Sequence, residues 1–134
     1  MIKQHIGEAE TELFTAVYKR INNLGYSVYI FKPDKVPYPF IHIGETLGFD
    51  EEDNKTKIRG RVIQTIDIWH NELLELGTVN SIATAIKNEL RQIRRTQNFQ
   101  WTIAPYGLNT ISLIDNSTNV RLRRYRIDVE FRYT

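Results

Sequence analysis

Eight of the nine basic side chains after Ile86 are guanidinium groups: Arg91, Arg94, Arg95, Arg121, Arg123, Arg124, Arg126 and Arg132. A guanidinium is planar, can grip a carboxylate or phosphate through two parallel hydrogen bonds, and gives up its water more readily than an ammonium. The chemistry on offer is anion recognition. Carboxylates concentrate elsewhere, most densely in Asp50-Glu51-Glu52-Asp53. Residues 1–86 carry 9 Lys/Arg against 12 Asp/Glu, net −3, and residues 87–134 carry 9 against 4, net +5, giving the +2 of the whole chain. Three uses fit such a split: a solvated helix end and strand face, contact with phosphates, or pairing with the carboxylates of another copy. Against phosphate, Asp128 and Glu130 interrupt the strand that carries Arg124, Arg126 and Arg132, and the total charge is nearly neutral. A small arginine-rich nucleic-acid-binding module therefore stands as the alternative reading, and specific nucleic-acid recognition is not expected.

Other chemistry is sought without result. His5, His42 and His70 lie in unrelated segments and form no metal-ligand spacing. His42 and His70 fall on strands expected to be neighbours, which would let them approach one another. The acidic run lacks the alternating ligands and central glycine of a calcium loop. No glycine-rich loop opens a helix, and no serine sits at a strained strand-to-helix elbow. There is no cysteine, which removes disulfides and thiolate metal sites. No catalytic, cofactor-binding or metal-binding residue is assigned, and no cofactor is expected.

The elements that must position these groups follow from periodicity. Leu13, Val17, Ile21 and Leu24 form one apolar stripe, so a helix is expected over residues 7–23, stopped by Gly25. Residues 26–31 read as a strand, and the proline-spaced segment Val36-Pro37-Tyr38-Pro39-Phe40 leads into another at residues 40–43. A polar acidic loop is expected over about residues 45–57, then a long strand over 58–70. There Val62, Gln64, Ile66 and Ile68 share one face and Arg61, Ile63, Thr65, Asp67 and Trp69 the other. Part of that strand should be covered on both sides.

Val79, Ile82, Ala83, Ile86, Leu90 and Ile93 place a second helix after an N-cap at Thr78, with Arg91, Arg94 and Arg95 closing it. Strands near residues 99–104, 111–114 and 119–133 complete the chain. In the last one the apolar phase shifts from Val120 and Leu122 to Tyr125, Ile127 and Val129, which predicts a bulge near Arg123-Arg124. The expected fold is α+β, a mainly antiparallel sheet packed by two helices in the order α-β-β-β-α-β-β-β. At 134 residues it should be one domain that buries a core without staples. No apolar run approaches the roughly 18 residues of a membrane span, and a soluble cytoplasmic protein with no membrane partner is expected.

The order of elements, with Val36-Pro37-Tyr38-Pro39-Phe40 before the second strand and Thr65-Ile66-Asp67-Ile68-Trp69 ending the third, resembles a known family. Leu13-Phe14-Thr15-Ala16-Val17-Tyr18 and Ile82-Ala83-Thr84-Ala85-Ile86 fit the same pattern. The family is the tail completion, or tail terminator, proteins of long non-contractile-tailed bacteriophages, including tail-to-head joining proteins of phages of Gram-positive hosts. The resemblance implies a non-enzymatic structural protein of the virion neck, assembled in the bacterial host cytoplasm. It would cap the head-proximal end of the tail tube as a hexameric ring, halt tube polymerisation, and bind the tail tube protein and the head connector or head completion protein. The family offers no catalytic residues to carry over. The charge split then suggests that Asp50, Glu51, Glu52 and Asp53 of one copy face the arginines of the second helix or last strand of the next.

Overall fold

The computed structural model describes residues 4–51 and 59–134. Helix α1 spans Gln4–Asn22, β1 Val28–Tyr29, β2 Phe40–Glu51, β3 Arg59–His70, α2 Leu76–Leu90, β4 Trp101–Asp115 and β5 Leu122–Tyr133. The strands form one sheet in the order β1-β2-β3-β5-β4, in which only β1 runs parallel to its neighbour. The sheet is therefore mixed and the element order is α-β-β-β-α-β-β, one strand fewer than expected.

The missing strand has a clear cause. The two short strands anticipated at residues 99–104 and 111–114 are one strand, β4, interrupted by a bulge. Ile103 pairs with Phe131 and Leu108 with Val129, so Ala104–Gly107 bow out against the single residue Glu130. Tyr106 sits there with φ 58° and is 97% exposed. Gly107 is required at the foot of the bulge because a β-carbon there would stand 2.8 Å from the Ala104 carbonyl oxygen. The tight bulge lets the strand resume in the same pairing, so what was expected as two strands is one.

Both helices lie on one face of the sheet, as their apolar stripes require. Leu13, Val17 and Ile21 of α1 and Val79, Ile82, Ala83, Ile86 and Leu90 of α2 are buried against Ile41, Ile43, Val62, Ile66, Ile68, Ile127, Val129 and Phe131. Gly25, with φ 92°, ends the first helix as expected. Helix α2 begins at Leu76, earlier than Thr78, and Glu75 at its N-cap makes no side-chain capping bond. Arg91 is its C-cap, while Arg94 and Arg95 lie beyond its end. Arg20 joins the helices by pairing with Glu89 at 3.2 Å.

Gln64, a buried polar residue on the helix-covered face, has a structural task. β2 shifts register between Ile43 and Thr46, so Gly44 and Glu45 oppose Thr65 alone. The Gln64 side-chain amide lies 3.1 Å from the carbonyl oxygens of Gly44, Glu45 and Thr65, and Thr46 Oγ1 donates to its Oε1 at 2.7 Å. The bulge thus spends its loose carbonyls on one fixed amide. Beyond it β2 carries on as strand to Glu51, where a loop from about residue 45 was expected; the rest of that expected loop, including Glu52 and Asp53, lies outside the described residues.

No bulge occurs at Arg123-Arg124. β5 pairs with β3 without interruption from Tyr133↔Gly60 to Arg123↔His70. The change of apolar phase reflects a change in which face is covered. Ile127, Val129 and Phe131 face the helices, whereas Leu122 points to the opposite side, where it packs with Phe40 and Trp69 under Tyr29, Val36 and Tyr38. This second cluster covers β3 from behind, and Thr65–His70 are all buried, as expected for a strand covered on both sides.

Candidate functional site

The alternation of β3 and β5 decides where the charges go. Asp67 pairs across the sheet with Arg126 on one side and His42 on the other, and Trp69 with Arg124 and Phe40. All of them project from the face away from the helices. Arg124 closes a two-point grip on Asp67, Nε to Oδ1 at 3.0 Å and Nη2 to Oδ2 at 3.1 Å. Asp67 is only 2% exposed, so the carboxylate of this pair is desolvated while the guanidinium still reaches solvent. The bond to Asp67 pushes the Arg124 guanidinium above its ordinary pKa against the effect of burial, with the Asp67, Asp115 and Asp128 charges adding to it. The Trp69 ring lies beneath two cations, Lys32 Nζ at 4.1 Å and Arg124 Cζ at 5.0 Å.

The same face continues as a row of paired charges. Arg126 Nε donates to Asp128 at 3.3 Å, and Thr65 Oγ1 donates to the same carboxylate at 2.7 Å. Glu130 lies between Arg61 at 3.7 Å and Arg132 at 3.6 Å. Arg123 points to the helix side and donates to the Leu73 carbonyl at 3.3 and 3.2 Å, fastening the connection that leads into α2. Arg121 donates to Asn116 at 3.2 Å in the β4–β5 turn. Each candidate arginine of the last strand is thus committed within its own chain.

The candidate arginines after α2 are placed differently. Arg91 and Arg94, with Arg132, line a cavity of about 840 Å³ between the end of α2 and the first half of β4, floored by Trp101 and rimmed by Tyr106. Among the described residues Arg91 donates to Asn88 alone, at 3.4 Å. Arg95 is exposed and forms an isolated bridge with Gln100. The eight arginines therefore divide into an ion-paired sheet face, two structural fasteners and a cationic cleft. Of the candidate acids, Asp50 and Glu51 pair through their backbones with Gly60 and Arg59 at the far end of the β2–β3 ladder, opposite Tyr133.

His42 and His70 do not meet, because they project from opposite faces of the sheet. His42 stands beside Asp67, and burial lowers its pKa from the ordinary histidine value, with Arg124 and Lys32 lowering it further and Asp67 opposing. His70 is buried and its Nε2 lies 2.7 Å from Glu75 at the start of α2. Among the described residues no group of three or more His, Asp or Glu could hold a metal ion, and no helix is long and apolar enough to cross a membrane.

Sequence reasoning missed the Arg124–Asp67 pair, although the signal was present. Asp67 shares a face with Trp69 in a strand expected to be covered on both sides, and a carboxylate in such a place needs a cation. It also missed an apolar groove of about 400 Å³ between α1 and β1, lined by Phe14, Tyr18, Val28, Ile30 and Phe31.

No protein-family model matches the chain, and no curated protein matches it. Among solved structures it is similar to a chain of the virion of a native gene transfer agent particle. The identity is 19%, the TM-score 0.61, and the match covers 89% of this chain and 90% of that one. At that identity the likeness establishes a shared fold.

Proposed function

We propose that this chain is a non-enzymatic structural component of a phage-like virion, which caps the head-proximal end of the tail tube and joins it to the head connector as a ring of copies. The observation that carries the reading is the fold, shared from end to end with a chain of a particle of that kind. The resemblance of the proline-aromatic lead-in and the strand-end Trp69 to tail completion proteins points the same way. The arrangement of charge supports it further, since the sheet-face arginines are neutralised by their own carboxylates.

Among the described residues, the cleft at the end of α2 is a cationic surface open to an acidic partner. Arg91, Arg94 and the adjacent Arg95 would take the Asp50-Glu51-Glu52-Asp53 segment of a neighbouring copy. Exposed pairs of this sort contribute about 0–1 kcal/mol each, so they set the orientation of the ring while apolar contact supplies most of the affinity. Electron microscopy of the purified protein mixed with tail tubes tests the reading: a ring at one end of each tube is expected. Steep, salt-dependent retention on DNA with no terminal ring would favour the arginine-rich nucleic-acid-binding module instead.

A further inference from the structure

Both edges of the sheet are unfinished. On one side β1 covers β2 only at Ile41 and His42, so Ile43–Glu51 has no strand partner beyond it among the described residues. On the other side β4 is the edge. Its beginning is occupied, because Trp101 N–H donates to the Arg94 carbonyl and Arg95 bridges Gln100. From Leu108 to Asp115 the outer edge has no strand partner among the described residues. Monomeric proteins blunt such edges with lysine, proline or a covering segment. Here residues 107–114, Gly-Leu-Asn-Thr-Ile-Ser-Leu-Ile, carry neither a charge nor a proline. Asn109, Thr110, Ile111 and Ser112 are exposed in succession, so neither face of this stretch is covered. A bare, uncharged strand end of this kind is built to accept another strand.

We infer that the Leu108–Asp115 edge of β4 pairs with the Ile43–Glu51 edge of β2 in a second copy, making the sheet continuous from copy to copy. Three features of the chain select that occupant. Going across the sheet, β2, β3, β5 and β4 alternate in direction, so a copy rotated about an axis tilted from the strands, as in a closed sheet, brings its β2 antiparallel to β4. Ile111 and Leu47 project from the same face, each is 54% exposed, and each would cover the other. The two edges are also different, so the contact is heterologous, the type that closes into a ring or runs on as a filament.

The register is specified too. Across the ladders His42 stands level with Ile111, and the occupied ends of β4 and β2 allow only Leu108–Asp115 and Ile43–Glu51 to meet. Leu47 stands level with Glu130 and Ile111 with Arg126, so the neighbour must slide along the strands by four ladder positions, about 14 Å at about 3.4 Å per residue. Closing a sheet of tilted strands requires such a stagger.

The inference rests on the ring reading, and cysteine chemistry separates the two because the chain has no cysteine of its own. The double variant Leu47→Cys/Ile111→Cys is treated with a short bis-maleimide, both free and bound to tail tubes, with each single variant as control. A ladder of covalent oligomers from the double variant, and none from the singles, is expected. Terminal rings without the ladder would overturn the edge pairing and leave the ring standing. A dimer from Ile111→Cys alone would overturn it in favour of β4 pairing with its own copy. Absence of both rings and ladder would overturn both. Ile111→Lys gives an independent reading: since Ile111 is exposed, the monomer should keep its circular dichroism while ring formation is lost, and rings at the parental yield would refute the pairing.

Discussion

Replacing Arg124 by Met should be the most damaging single change on the open face of the sheet. Methionine preserves the length and most of the packing over Trp69, but strips Asp67 of both its hydrogen bonds while Asp67 stays buried. An uncompensated buried charge costs about 3–5 kcal/mol. The lost cation–π contact adds about 0.5–1 kcal/mol. The nearby His42 can recover part of this by taking a proton, so the lower end of the range, about 3 kcal/mol, is expected. In a chain of 134 residues that corresponds to a fall in Tm of roughly 10 °C. Asp67→Asn should cost less, about 1–2 kcal/mol, because Arg124 keeps water and Asp115 at 3.9 Å. Urea unfolding of parent, both singles and the double gives the coupling energy, expected at about 2 kcal/mol. A coupling below about 0.5 kcal/mol, or an Arg124→Met variant as stable as the parent, would refute the view that this pair holds the back of the sheet. The same reasoning makes Arg124→Glu unfit for probing assembly, since it sets a second carboxylate against Asp67.

Gln64→Leu keeps the side chain's bulk but orphans the Gly44 and Glu45 carbonyls; a loss of about 1–3 kcal/mol in urea unfolding is expected, with faster amide exchange confined to the β2 bulge. Gly60→Ala would press a β-carbon onto the Phe49 carbonyl oxygen and to 2.6 Å from the Tyr133 hydroxyl, so β3 must shift, with a loss of about 1–3 kcal/mol seen as a lowered Tm. Burial disfavours the imidazolium of His42, so as pH falls below 6.5 the unfolded chain takes its proton first and stability declines toward the lower folded pKa. A His42→Gln variant should lack that part of the decline when urea midpoints at about pH 7.5 and about pH 5.5 are compared. Arg91→Glu combined with Arg94→Glu should leave the unfolding free energy within about 0.5 kcal/mol of the parent while abolishing terminal rings in electron microscopy.

Much of the core was legible in the sequence because its periodicity is strong. The stripes of both helices and the two faces of β3 lie where the spacing put them, including the double covering of Thr65–His70. What escaped was long-range. Whether Pro105-Tyr106-Gly107 ends a strand or bows out of it depends on the partner strand, and β5 resumes its pairing at Leu108. The phase shift near Arg123 looked local, yet it records the segment of residues 24–39 folding over Leu122. The arginines formed one group by composition, but alternation on β5 sends Arg123 to one side and Arg124 and Arg126 to the other. Only the carboxylates that meet them distinguish committed cations from available ones.

The contrast between β3 and the far half of β4 has a dynamic consequence. Amides of Thr65–His70, sealed above and below, can exchange with solvent only when the whole molecule opens, whereas those of Asn109–Ser112 need little more than fraying of one hairpin. The terminal hairpin can therefore breathe at small energetic expense, while the heart of the domain remains shut.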